Sequence, residues 1–133
     1  MTDLPSMKHQ PFHVLNAGGG APMVIICDHA SNRVPAELAD LGLPESELQR
    51  HIAWDIGAAA IAEALSVRFN APAVICGTSR LVIDCNRYPD ARDAVPETSD
   101  RTPVPGNRGL SAADRQARID RYFHPYHDAV EAT

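Results

Sequence analysis

The sequence predicts an α/β fold, a mixed and mostly parallel sheet flanked by helices on both sides. Two observations carry this prediction. Three short apolar runs of strand length, Met23 to Cys27, Ala73 to Cys76 and Leu81 to Cys85, lack the alternation of a half-wet strand and read as buried on both faces. Between the first two lies a segment of helical period, which makes a strand, helix, strand unit. The chain has 133 residues, 44% of them hydrophobic, which suits a single domain spanning 1–133 with one core.

Taken in order, Phe12 to Asn16 is a short apolar stretch running into Gly18, Gly19 and Gly20. These glycines precede the first strand and match no phosphate-cradling spacing, so they read as a flexible turn. Pro35 to Leu41 and Glu45 to Ile52 read as two short helices parted by Gly42 and Pro44. Over 56–69, Ile56, Ala60, Leu65 and Phe69 share a helical face, and Asn70 and Pro72 end the helix. The stretch 88–110 holds four prolines and no period, so it is expected to be a long loop, either covering a site or disordered. Ser111, with Asp114 three residues on, caps a last helix whose Ile119, Tyr122, Phe123 and Tyr126 repeat at i, i+3, i+4, i+7. Pro125 is expected to kink that helix near its end.

Charge and composition then exclude whole classes of function. With 17 acidic against 12 basic residues the net charge is −5, which speaks against nucleic-acid or anionic-membrane binding. No apolar run approaches the roughly 20 residues of a spanning helix, and the N-terminus lacks a signal-peptide pattern, so a cytoplasmic location is expected. Three cysteines, none in C-x-x-C spacing, predict reduced thiols acting as small hydrophobes. Eleven of the twelve basic residues are arginine, whose planar forks suit carboxylates.

Chemistry concentrates where polar groups interrupt the strands. Asp28-His29-Ala30-Ser31-Asn32-Arg33 follows the first strand directly, at the carboxyl edge where open α/β sheets place ligands. There His29 either binds a metal, with Asp28 or a carbonyl orienting its other nitrogen, or merely caps a turn. In His51-Ile52-Ala53-Trp54-Asp55-Ile56-Gly57, Asp55 is either a carboxylate ligand or an ordinary helix cap, and His51 can be solvent-facing. Ser79 to Arg87 places Arg80, Asp84, Asn86 and Arg87 around an apolar element. Either an arginine grips a substrate carboxylate with Asn86 adding an amide contact, or Asp84 and an arginine form an internal bridge. His124 and His127, spaced i, i+3, are a conceivable ligand pair or simple helix-end polar contacts. No G-x-S-x-G elbow is present, and Ser31 and Ser79 lack a base partner, which disfavours serine hydrolase chemistry.

Five ordered blocks, CDHASNRVP at 27–35, HIAWDIGA at 51–58, SRLVIDCNR at 79–87, PGN at 105–107 and PYH at 125–127, resemble the N-formylglutamate amidohydrolase family. The resemblance runs from about Val24 to the end of the chain. It implies a phosphorylase/hydrolase-like, zinc carboxypeptidase-like fold and hydrolysis of N-formyl-L-glutamate, a small acidic N-acyl amino acid, to formate and glutamate. It also implies a divalent metal, zinc in the first instance, held by His29 and Asp55. Asn86 and Arg87, with Arg80 as helper, would grip the substrate carboxylates. Asp28 and His127 are the catalytic candidates, and His127 could stand in as the third metal ligand only if the last helix folds back over the sheet edge. Family members are longer, and their second half carries a further histidine and a late glutamate. The expectation is therefore an N-terminal half with an incomplete sheet, open to self-association through its edge and weak or inactive alone. A non-catalytic carboxylate-binding or partner-binding fragment, and a zinc amidase or peptidase for another acyl group, are the alternatives.

Overall fold

A computed structural model describes residues 8–133. Its sheet has three strands, β1 (Phe12–Leu15), β2 (Ile25–Cys27) and β3 (Ala73–Cys76), in the order β1-β3-β2. β1 pairs antiparallel with β3, Phe12 opposite Cys76 and Leu15 opposite Ala73, while β2 pairs parallel with β3, Ile25 opposite Ala73 and Cys27 opposite Ile75. The sheet is thus mixed, with one pair of each kind and no parallel majority. The apolar stretch before the glycines is itself a strand, and Gly19 and Ala21 close the following turn by donating to the Asn16 and Asn70 carbonyls.

Helices cover both faces, as expected. Ala73 and Ile75 of β3 pack with Ala30 and Ala62 on the side of α2 (Ala58–Phe69), and Val74 and Cys76 pack on the other side with Phe123 and Tyr126. The latter side is closed by α4 (His124–Ala132), which follows α3 (Ala112–Arg118) through a π turn, Ile119–Phe123. Ser111 caps α3 by accepting from the Asp114 N–H, and Ile119, Tyr122, Phe123 and Tyr126 are buried as their spacing predicts. A π turn directly precedes Pro125. There the His124 N–H reaches back to the Ile119 carbonyl, and the wider turn absorbs the donor that proline lacks.

Several expectations are corrected. Only β3 is buried throughout: β2 is three residues long and lies at the edge, so Met23, Val24 and Ile26 stay 44%, 40% and 52% exposed. α2 turns its small residues inward, Ala62 and Ser66 being buried, which lets the helix lie close to the sheet. The larger stripe of Ile56, Ala60, Leu65 and Phe69 faces outward. The first expected helix is a 3₁₀ stretch, Ala36–Gly42, whose Ala39, Asp40 and Leu41 take left-handed φ of 49°, 54° and 56°. Gly106 permits this packing, since a Cβ there would stand 2.6 Å from Leu41 Cα. The second expected helix is shorter than 45–52, ending after one turn as α1 (Glu45–Leu48). The 88–110 stretch is not structureless: it contains 3₁₀ turns at Arg92–Ala94 and Pro105–Asn107 and a small hairpin of β4 (Thr98–Ser99) and β5 (Thr102–Pro103).

The third expected strand is the most consequential correction. Leu81 to Cys85 is fully buried, yet it forms turns with no ladder partner. Several of its backbone groups find partners outside any strand ladder. Val82 N–H donates to the Ser79 carbonyl and Asp84 N–H to the Ala94 carbonyl. The carbonyls of Leu81, Val82 and Cys85 accept from Asn107 Nδ2, Arg118 Nη1 and His127 Nε2. Side chains from distant segments do the work of a neighbouring strand. Among the described residues no helix is long and apolar enough to cross a membrane.

Candidate functional site

The end of β2 and the turn after Ser79 bring two groups of side chains together. In the first, His29 lies between two carboxylates: its Nε2 is 2.7 Å from Asp84 Oδ1 and its Nδ1 is 3.3 Å from Asp55 Oδ2. Arg80 donates to Asp55 Oδ1 at 3.3 Å and to Asp84 Oδ2 at 3.5 Å, completing a four-membered network. The inner and outer carboxylates differ sharply, the Asp84 side chain being 6% exposed and that of Asp55 55%. The Asp55 N–H also donates to the His29 carbonyl at 2.9 Å, locking the two segments together. Asp55 does not cap α2, whose N-cap is Gly57 in a left-handed conformation at φ 86° with no side-chain cap bond.

The electrostatics follow from this geometry. The hydrogen bond that His29 donates to Asp84 is the main reason the His29 pKa is raised, against the opposing effect of burial. Burial alone would raise Asp84. Its hydrogen bonds with His29 and with the Asn86 N–H outweigh that and hold its carboxyl below the usual range. When His29 is neutral, the shorter bond keeps the ring proton on Nε2, facing Asp84. Its Nδ1 lone pair then faces an Asp55 oxygen 3.3 Å away, two acceptors with no hydrogen between them.

That arrangement fits a cation. Two donors on one tetrahedral zinc stand about 3.3 Å apart, and a carboxylate on the far ring nitrogen is the usual orienting partner of a metal-bound histidine. His29 and Asp55 would supply two of the three protein donors a catalytic zinc normally takes. Among the described residues no group of three or more His, Cys, Asp or Glu is placed to hold an ion.

The second group lines a cavity of about 810 Å³, with Asp28, Asn86, Arg87 and His127 set among Ile26, Tyr88 and Phe123. Asp28 Oδ1 accepts from the Tyr126 hydroxyl at 2.5 Å. Tyr126 is fully buried, and burial together with Asp28 pushes its pKa far up, so it stays a neutral donor. The last helix does fold back: His127 Nε2 donates to the Cys85 carbonyl at 2.7 Å and its ring packs on Phe123, leaving Nδ1 as the acceptor of the neutral ring. Arg87 donates to Asp93 at 3.1 Å and to the Asn86 carbonyl at 2.9 Å, while half exposed at the cavity.

His29, Asp55 and Arg80 therefore meet in one network, and Asp28, Asn86, Arg87 and His127 meet around one cavity. The two are joined by the Asp28–His29 peptide bond and by Cys85, which connects Asp84 to Asn86. The internal Asp–Arg bridge left open above exists between Arg80 and Asp84. His124 is exposed and stacks edge-on to Phe123, and His51 pairs with Asp100 at the surface. Ser31 Oγ accepts from the Arg33 N–H and Ser79 Oγ donates to the Ala53 carbonyl, so neither faces a base. Two residues were missing from the expected site. Asp84 had a signal, as the one charge inside an apolar run, but was assigned to an arginine instead of to His29. Tyr126 had none, because its spacing marks it as core.

A model of the N-formylglutamate amidohydrolase family matches residues 21–133. The chain belongs to this family. The crystal structure of gene product Atu2144 from Agrobacterium tumefaciens is similar, with 40% identity, a TM-score of 0.88 and coverage of 91% of this chain. The match spans 48% of that protein's length, so the present chain corresponds to about half of it. No curated protein matches the chain. Every block that carried the family resemblance after Val24 lies within the matched range, and the blocks at 27–35, 79–87 and 125–127 contribute directly to the cavity or the histidine network.

Proposed function

We propose that this chain carries the substrate-gripping and metal-holding part of an amidohydrolase acting on N-formyl-L-glutamate, releasing formate and glutamate. The observation that supports it is the pinning of His29 by buried Asp84, with its other nitrogen turned to Asp55, next to a cavity bearing Asn86 and Arg87. The phosphorylase/hydrolase-like sandwich implied by the family is part of the same reading, as is a divalent ion, zinc in the first instance, on His29 and Asp55. When bound, such an ion polarises an amide carbonyl and acidifies water.

The chain's own residues account for the remaining steps. Arg87 offers its free guanidinium N–H groups to a substrate carboxylate, and Asn86 adds an amide donor, fixing the formyl group in place. Arg80, held by Asp55 and Asp84, is the nearby positive charge for the oxyanion that develops as the carbonyl is attacked. Asp28, with one oxygen committed to Tyr126, keeps the other to take the proton of the attacking water. Asp28 hands that proton on to Nδ1 of His127, which delivers it to the departing amine as the C–N bond breaks.

A second reading, a non-catalytic carboxylate-binding fragment, is favoured by the lack of a third metal donor among the described residues. The test is titration of the purified chain with N-formyl-L-glutamate, with and without zinc, alongside formate release. The proposal expects saturable binding weakened about tenfold by Arg87→Ala, bound zinc lost in both His29→Ala and Asp55→Ala, and slow formate release. Substrate binding with no zinc uptake would favour the second reading, and no saturable binding at all would overturn both.

A further inference from the structure

A second cavity of about 830 Å³, lined by Arg33 and sharing no residue with the cavity at Asp28, is not used by the proposed chemistry. Its charged lining is Lys8, Arg33 and Arg121 against a single carboxylate, Glu37, with His9 and Tyr122 between them. In a chain of net charge −5 this is a local reversal of sign. None of the three cations forms an ion pair among the described residues, whereas Arg50, Arg80 and Arg87 all do. Glu37 is already engaged, accepting from the Tyr122 hydroxyl at 2.6 Å. The aromatic groups are fixed in place: His9 Nε2 bonds Thr78 Oγ1 at 2.8 Å, and its ring stands edge-on to Tyr122 with centroids 5.5 Å apart.

We propose that this cavity is a separate binding site for a small organic phosphate. Two guanidinium forks and an ammonium provide more N–H donors than the two oxygens of one carboxylate can use. A phosphoryl group, with three oxygens and close to two negative charges, matches both the donors and the surplus of positive charge. The space is larger than a bare phosphate needs and falls in the range of small-molecule sites. Pro11, Ala36 and the Tyr122 ring give the organic part an apolar surface. Because Arg33 ends the loop that begins with Asp28 and His29, the ligand would bind beside the candidate active site without entering it.

The test is NMR titration of the full chain with inorganic phosphate at fixed ionic strength, following His9 and Tyr122, with glutarate as a matched dicarboxylate. Saturable shifts at both residues are expected, with phosphate the tighter ligand. Arg33→Gln and Arg121→Gln should each weaken phosphate about tenfold, Glu37→Gln should tighten it about threefold, and Arg87→Gln should leave it unchanged. Neither arginine side chain holds the fold through an ion pair, so these variants are expected to stay folded, which unchanged amide spectra elsewhere would check. Absence of saturable phosphate shifts at His9 and Tyr122, glutarate binding as tight as phosphate, or equal loss in Arg87→Gln would each overturn the proposal. Loss of N-formylglutamate binding alone would leave it standing.

Discussion

Asn107 is the residue on which the unusual course of 81–85 depends most heavily. Its Nδ2 donates to the carbonyls of Leu81 at 2.8 Å and Pro96 at 2.7 Å, and its Oδ1 accepts from Arg118 at 2.6 Å, all from a residue 2% exposed. In Asn107→Ala both carbonyls lose this donor, that of Leu81 out of reach of bulk water, and Arg118 keeps only the Val82 and Gly106 carbonyls. At about 1–3 kcal/mol for each buried group left without a partner, softened by some relaxation, the loss comes to about 3–5 kcal/mol. Equilibrium urea unfolding should then show a midpoint lower by about 2 M at unchanged slope. The damage should also be local. Asp84 N–H, which donates to Ala94 from within this segment at 2.7 Å, should exchange with solvent faster than the β3 amides do. A loss below about 1 kcal/mol, or equal protection of Asp84 in the two proteins, would refute the view that distant side chains replace a neighbouring strand here.

Other consequences are separately measurable. Asp84→Asn should weaken zinc binding about 10- to 100-fold in a chelator competition, because the carboxylate orients His29 without touching the ion; unchanged affinity would remove Asp84 from that role. Tyr122 is pushed up to about 12 by burial and then by Glu37. The folded chain therefore keeps this proton above about pH 10, where an unfolded tyrosine releases it, and the associated stability is complete below that pH and lost as pH rises through the folded value. The wild type should thus lose about 1–2 kcal/mol more than Tyr122→Phe between pH 9 and 12, after discounting for solvent screening, and parallel pH profiles would contradict this. Ile61→Lys, at a position 63% exposed on α2, should change stability by no more than about 0.5 kcal/mol; a large loss would mean that the helix faces the other way.

What could be read from the sequence divides along physical lines. Strand β3, the Ser111 cap and the buried face from Ile119 to Tyr126 were legible because each follows from neighbouring residues whose spacing matches a local period. The stripe on α2 misled because periodicity reports which residues share a face, not which face meets the sheet. Close approach to Ala30 and Ala73 selected the small residues over Leu65 and Phe69. Leu81 to Cys85 misled for a different reason. Its composition is that of a buried strand, but its carbonyls are taken by Asn107, Arg118 and His127, which lie 26, 36 and 42 positions downstream of their partners.

The same distinction runs through the site. Arg80, Asn86 and Arg87 stood out because polar groups around an apolar element are costly unless something pairs with them, His29 stood out by its place after the first strand, and Asp55 as a ligand followed from the family resemblance. Which group pairs with which was not legible, since a residue just after β2, a residue before α2 and the 79–87 turn meet only in three dimensions. Turn geometry at 81–85 is what delivers Asp84 to Nε2 of His29. In an extended strand Asp84 would be separated from the Asn86 N–H that now donates to it at 2.9 Å, and alternation would set Arg80, Asp84 and Asn86 along one face. The turn instead sends Asp84 inward to the imidazole and leaves Asn86 and Arg87 at the cavity. The departure from the expected strand is therefore the feature that separates the carboxylate held against His29 from the pair facing the cavity only two residues away.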